Sequence, residues 1–442
     1  FDLGGDSIKA AIVINRLQQE LGEIIHVVTI FDAPSVASFA SYLEEQYPEA
    51  VQRLFGSSGV EVVAKAGAAG GAVTEAQVEH LRALTTEARL VLGPLEGQAA
   101  ARLRPALFVL SAPRSGSTLM RVMLGGHSRL FAPPELELLG YETMSGRRQA
   151  LSGRDQFWLE GAIRAVMQAR GCEAEAAREL IGEYEARSAN TTEFYRDLQE
   201  WIGAGRMLVD KTPSYALELE VLRRAEREFE GARYIHLVRR PEAVIHSYEE
   251  AHLEQIFPRF AHPFSGREVA ELVWVISQQN IQEFLSTVSA ERQHRVVFEE
   301  LVAEPRRVLE RVSEFLGLEY EAGMSEPYRE RAERMTDGVR AESKMLGDIK
   351  FHEHRGIEAG VGERWREAAR DLEIGAVTRE LARSLGYDVQ AEANELATTG
   401  AQHMSLTPIR RVDEKANDEQ IATDISVMSD QEVEAMLESI LA

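Results

Sequence analysis

Two kinds of hydrophobic pattern divide this chain. Near the start, Ile8, Ala11, Ile12 and Leu21 are among the apolar positions of a helix predicted over 8–21. Val36, Phe39, Ala40 and Leu43 then recur at i, i+3, i+4, i+7, the repeat of a helix with one buried face, and Pro34 and Ser35 stand where such a helix starts well. This helical unit ends near Tyr47-Pro48. Lys65 to Ala72 is small-residue linker, followed by one weakly amphipathic helix predicted from about Thr74. From Pro105 the blocks change. Ala106 to Ser111 (ALFVLS) is a continuous apolar run suited to a strand buried on both faces, and Met207–Val209, Tyr234–Val238 and Val296–Phe298 resemble it, with long helical stretches between them. Strands alternating with helices predict an α/β fold: a central, mainly parallel sheet, helices on both faces, and a ligand site at the carboxyl ends of the strands. The division that follows is a short helical unit at 1–50, a linker with a helix at 51–104, the α/β domain at 105–390 and a polar tail at 391–442. In the tail, Val433, Met436, Leu437 and Ile440 predict a terminal amphipathic helix.

Charge and composition narrow the function. With 49 Lys+Arg against 72 Asp+Glu in 442 residues the formal charge is −23, spread along the chain, which argues against a nucleic-acid partner that would need a basic face. A hydrophobic share of 44% is enough to build a sizeable core. The single cysteine, Cys172, supports neither an intrachain disulfide nor a thiolate metal cluster, so the expectation is a cytoplasmic protein without a metal site. No apolar run approaches the roughly 18 residues of a membrane span, and no basic-then-apolar leader precedes Ile8, so neither membrane nor export is expected. The chain opens without Met, in turn chemistry at Phe1-Asp2-Leu3-Gly4-Gly5-Asp6-Ser7, which reads as a piece of a longer polypeptide.

Candidate chemistry begins after the first apolar strand. Ser111-Ala112-Pro113-Arg114-Ser115-Gly116-Ser117-Thr118 joins that strand to a helix continuing Leu119-Met120-Arg121, the arrangement in which unpaired N–H groups and the helix dipole hold a phosphate. Arg114, Ser117 and Thr118 add side-chain donors. The Walker lysine is missing, because Gly116 is followed by Ser117, so metal-dependent ATP or GTP hydrolysis is demoted. A second anion corner is offered by Arg239-Arg240-Pro241, at the end of YIHLV, with Ser247 two helical turns on. Two such corners at the strand ends of one sheet point to a ligand bearing phosphates at two places.

The Pro-Arg-Ser-Gly-Ser-Thr loop, together with Val-Arg-Arg-Pro-(x)5-Ser, resembles the 5′- and 3′-phosphate motifs of sulfotransferases that use 3′-phosphoadenosine 5′-phosphosulfate (PAPS). The likeness runs over roughly 105–388, through Asp210-Lys211-Thr212-Pro213, the Val297-Phe298-Glu299-Glu300-Leu301 strand end and Arg355-Gly356-(x)8-Trp365. The wording PRSGSTLMRVMLGGH…PPELELLGYETM is most similar to sulfotransferase domains of polyketide assembly lines, of the curacin and olefin-synthase type; protein-tyrosine sulfotransferases are more distant. This resemblance implies that Arg114, Ser115, Gly116, Ser117 and Thr118 hold the 5′-phosphosulfate and that Arg239 and Ser247 hold the 3′-phosphate. Arg355 and Gly356 would close over the nucleotide, and adenosine 3′,5′-bisphosphate would be the product. Leu3-Gly4-Gly5-Asp6-Ser7 likewise resembles the attachment motif of acyl and peptidyl carriers, with Ser7 receiving 4′-phosphopantetheine, although the first helix of a whole carrier is not in the sequence.

Sulfuryl transfer needs in-line attack and donors around the oxygens that gain charge. Arg114 and the loop amides are expected at the leaving phosphate and Lys211 at the transferring group, unless Lys211 is a surface partner of Asp210. The hydroxyl acceptor needs a base. Glu135 follows Arg114 by 21 residues, the interval the tyrosine sulfotransferases suggest for their catalytic glutamate, and burial beside Pro133, Pro134 and Leu136 is expected to raise its pKa. The alternative is that Glu135 caps a helix and that a histidine is the base, His352 or His354 before Arg355, or His246 or His252 near the second corner. The acceptor implied is a carrier-linked β-hydroxyacyl chain. Related assembly-line domains pass the sulfate ester to a thioesterase that releases a terminal alkene; no Gly-x-Ser-x-Gly elbow occurs here, so that step would belong to another module or a separate chain. Two other readings stay open: a sulfotransferase for a free small-molecule or protein hydroxyl, and a nucleotide-binding scaffold without chemistry.

Overall fold

The computed structural model describes residues 13–55 other than 15, 19 and 27, then 72–92, 95, 102–329, 335, 356–357, 360, 366 and 372–387. The predicted tail helix, the small-residue linker and the start of the first helix lie outside the described residues. The helical unit keeps a small core of its own, built from Ile14, Leu21, Ile25, Tyr47 and Ala50. Its helix α1 (Val36–Gln46) is capped by Ser35 and Ser38, each side chain accepting the other residue's backbone N–H.

After helix α2 (Glu75–Leu92), strand β1 (Ala106–Leu110) runs into helix α3 (Ser117–Leu124), and a two-residue strand β2 (Leu130–Phe131) follows. Helix α4 (Glu160–Arg170), strands β3 (Met207–Asp210) and β4 (Arg233–Val238), and helices α5 (Pro241–Glu250) and α6 (Gly266–Ser286) come next. Strand β5 (Gln293–Val297) leads directly into helix α7 (Phe298–Ala303), and helix α8 (Ala376–Ser384) closes the described chain. The sheet order is β2-β3-β1-β4-β5, every pairing parallel. The four strands expected from apolar runs are all present, except that Phe298 leaves its strand to start α7. β2, only two residues long, was not foreseen.

Alternation along β1 assigns the two layers. Phe108 and Leu110 point into a core with Phe194, Tyr195, Phe229 and Tyr234, while Leu107 and Val109 point into another with Met120, Met123, Ile235 and Leu309. All five β1 residues are buried, which accounts for a run with no polar position. Aromatic rings tighten the first layer: Phe108 meets Phe229 edge-on at 5.1 Å between centroids and stacks on Tyr234 at 5.8 Å. A third core gathers around α6, where Val78 and Leu81 of α2 and Leu381 and Ala382 of α8 share one cluster with Leu272, Val273 and Ile276. Polar ties back this up. Arg82 donates to Asn280 Oδ1 at 2.8 Å and to Gln279 Oε1 at 2.7 Å, and Glu271 accepts the Gly375 N–H at 2.7 Å. The connection leaving β1 runs toward β2 and the one leaving β4 runs the opposite way toward β5, the reversal that opens a crevice at the carboxyl ends of these two adjacent strands.

Candidate active site

The crevice is floored by the loop after β1. Gly116 takes φ +85° as the N-cap of α3, with no side chain capping the first turn, so the leading amides of α3 stay available to an anion. A side chain at Gly116 is excluded twice: the backbone is left-handed, and a Cβ would lie 2.2 Å from the Phe298 ring. Arg114 is also left-handed, at φ 65°, an arrangement that costs a non-glycine residue on the order of 1 kcal/mol. Two bonds hold it there. Its carbonyl accepts from an Arg239 guanidinium N–H at 2.8 Å, and its own Nε donates to Ser247 Oγ at 3.2 Å.

The two anion corners expected from sequence are therefore one interlocked corner. Arg114, assigned to the 5′ side, lies against Ser247, assigned to the 3′ side. The Arg239 guanidinium sits 4.5 Å above the Phe298 ring, and its carbonyl accepts from Trp274 Nε1 at 3.1 Å. Phe298 thus touches both halves: it closes over Gly116 and carries Arg239. Ser115 is fully buried, and its hydroxyl has no hydrogen-bond partner among the described residues.

At the other end of the loop Thr118 Oγ1 accepts from Lys211 Nζ at 3.4 Å, and the same ammonium is paired with Glu135. Lys211 is 1% exposed at its side chain, so it is no surface partner of Asp210. Asp210 instead accepts from Tyr195 at 2.5 Å, from Thr212 at 2.8 Å and from Tyr215 at 3.3 Å, and burial pushes its carboxyl up to about 6 in spite of those bonds. Glu135 departs from expectation. Burial does push its carboxyl upward, but the charge and hydrogen bond of Lys211, helped by Arg121, outweigh it, and the pKa ends below the usual carboxylate value. Nor does Glu135 cap a helix, since it lies in the loop between β2 and the helix Met144–Ala150, which Thr143 caps.

Several supports of Glu135 belong to no sequence motif. Gly161, in the first turn of α4, lets that helix press on the loop so closely that a Cβ would lie 1.9 Å from the Glu135 carbonyl oxygen. Arg121, 2% exposed in an otherwise apolar stretch of α3, donates to the Ala132 carbonyl at 3.0 Å; a lone charge inside LMRVML was the available signal. Beyond Glu135, the buried Glu137 accepts from Ser214 at 2.8 Å and from Arg259 at 3.2 Å. Of the histidines, His246 pairs with Glu250 at 3.6 Å and His252 with Glu254 at 3.4 Å. His352, His354, Arg355 and Ser7 lie outside the described residues, and Gly356 is an exposed bend. No cluster of metal-ligating side chains occurs among the described residues.

The site thus joins a parallel sheet, a loop running into a helix N-terminus, a basic corner and a Lys–Glu pair at the strand ends. Comparison identifies the class: the Sulfotransferase family matches residues 105–322. The sulfotransferase domain from the curacin biosynthetic pathway is 38% identical, over 65% of this chain and 99% of that one, with a TM-score of 0.61. The sulfotransferase domain from the Synechococcus PCC 7002 olefin synthase is 33% identical, over 66% of this chain and 98% of that one, with a TM-score of 0.58. The chain belongs to the sulfotransferase family and is an enzyme of that class, which sets aside the reading of a scaffold without chemistry. A second match, a phosphopantetheine attachment site, covers residues 1–43 and contains Ser7. No curated protein matches the chain. Among the described residues no helix is long and apolar enough to cross a membrane.

Proposed function

We propose that the chain moves the sulfuryl group of PAPS to the β-hydroxyl of an acyl chain tethered to a phosphopantetheine carrier. The observation that carries this reading is the presence, in one polypeptide, of a pantetheine attachment match and a sulfotransferase body whose relatives are domains of the curacin pathway and of an olefin synthase. The donor set fits the nucleotide: the buried Ser115 hydroxyl without a partner and the uncapped amides of α3 suit the 5′ group, and Arg239 with Ser247 suits the 3′-phosphate. Glu135, held anionic by Lys211, takes the proton from the acceptor hydroxyl as that oxygen forms its bond to sulfur. The bond from sulfur to the phosphate oxygen breaks, and adenosine 3′,5′-bisphosphate leaves. Lys211, bonded at once to Glu135 and Thr118, spans the base and the loop and is placed to stabilise the sulfuryl oxygens.

The test is mass spectrometry of the chain, loaded on Ser7 with a β-hydroxyacyl-pantetheine and incubated with PAPS. A sulfuryl increment on the tethered cargo is the expected result. Equal turnover of the free β-hydroxy acid would remove the carrier from the proposal and leave a small-molecule sulfotransferase.

A further inference from the structure

We propose that the helical unit 13–55 docks in cis on the segment 251–257, and that this contact is the carrier-recognition surface of the catalytic body. The inference rests on the reading of that unit as a carrier. Val28 is the first sign. It is 2% exposed, yet it belongs not to the core of its own unit, made by Ile14, Leu21, Ile25, Tyr47 and Ala50, but to the cluster that holds Ile245, Tyr248, Ile256 and Phe257 of the catalytic body. An apolar side chain committed to a neighbour's core is the mark of a built contact.

Polar bonds surround it. His26 Nε2 lies 2.8 Å from the Ala251 carbonyl, and Gln255 Nε2 donates to Tyr47 Oη at 2.9 Å. The Tyr47 ring meets the His252 ring edge-on, 5.2 Å between centroids. Arg154 fastens the rim from the catalytic side: one guanidinium nitrogen pairs with Asp32 at 2.8 Å and another donates to the Gln255 carbonyl at 2.5 Å. Burial lowers the pKa of His26, so it meets the carbonyl as a neutral donor.

The position of the segment gives the contact a use. Ala251 follows α5 directly, one turn, about 6 Å, beyond Ser247, which bonds Arg114. On its other side the same stretch continues to Arg259, which bonds Glu137, two residues from Glu135. A carrier seated on 251–257 therefore rests on a rim joined at one end to the donor corner and at the other to the loop of the proposed base. The sequence at 251–257 carries no motif; only the fold brings it to the carrier unit.

The experiment substitutes Val28→Asp in the full chain, because Val28 lies outside both the active site and the core of its own unit. Amide hydrogen exchange at 24–32 and 251–257 is expected to rise together at least tenfold, with β1 and α3 unchanged. A milder arm uses charge: Arg154→Glu is expected to raise exchange a few-fold in both segments, and Asp32→Arg added to it to restore protection. Sulfuryl transfer to cargo on Ser7 is expected to fall at least fivefold in Val28→Asp, with transfer to a soluble β-hydroxyacyl-pantetheine unchanged. Unchanged exchange in both segments, or equal loss of turnover for tethered and soluble substrate, overturns the docking proposal. If the unsubstituted enzyme sulfates neither substrate, the proposed function fails, and the exchange result still decides the docking.

Discussion

A single ammonium decides the state of the proposed base. Glu135 sits among buried neighbours that alone would raise its carboxyl, and Lys211, with Arg121 behind it, reverses the outcome. Lys211→Met removes the charge and the bond but leaves the burial, so the Glu135 pKa is expected to rise. The acid limb of the pH–rate profile of the residual activity should then move to higher pH; a limb that stays in place would show that another group titrates there. Glu135→Gln keeps the shape and loses the base, and a fall in turnover of at least a hundredfold is expected, with calorimetric affinity for adenosine 3′,5′-bisphosphate changed less than threefold.

At the scale of elements, the site depends on two close approaches that only glycine permits. Gly116→Ala drives a methyl into the Phe298 ring at a left-handed position, which is expected to lower stability by about 1–3 kcal/mol and to weaken nucleotide binding, read from thermal melts with and without adenosine 3′,5′-bisphosphate. Gly161→Ala pushes α4 off the Glu135 backbone, and its expected signature is lost turnover with nucleotide affinity kept, since α4 touches the loop of the base rather than the corner at Arg114. These dependences mark the boundary of what was legible in the chain. The strand, loop and helix at 106–124 could be read because a buried strand, a small-residue turn and a helix start are local patterns. Gly161 could not be read, because its necessity lies in a backbone that passes it 26 residues earlier. In the sequence Phe298 reads as the end of a strand, and its double contact with Gly116 and Arg239 exists only once β4 and β5 pair. The pKa of Glu135 escapes the sequence for the same reason: Pro133, Pro134 and Leu136 are visible beside it, whereas Lys211 arrives from 76 residues away.

For the molecule as a whole, burial of one imidazole ties stability to pH. His236, in β4, donates from Nε2 to Gln278 Oε1 of α6 at 2.7 Å, and burial pushes its pKa from 6.5 down to about 4. A base with a depressed folded pKa contributes its full stability above the unfolded value and loses it as pH falls toward the folded value. Between pH 6.5 and 4 this site is expected to remove on the order of 3 kcal/mol. Chemical denaturation of the protein and of His236→Asn across that window should show the difference between them narrowing as the medium is acidified. Parallel curves would mean that the imidazole is not titrating inside the fold.

The packing of α2 and α8 against α6 bears on how the enzyme can be cut. The span that defines the family, 105–322, contains α6 but neither companion helix, and so omits Val78, Leu81, Leu381 and Ala382 from the cluster they share with Leu272, Val273 and Ile276. Excised at those limits, the protein would carry an oily stripe along its longest helix, and light scattering should find it self-associated. Boundaries at 72 and 387 keep the stripe covered and uncover only the seat of Val28, so that fragment should scatter less than the one cut at 105 and 322.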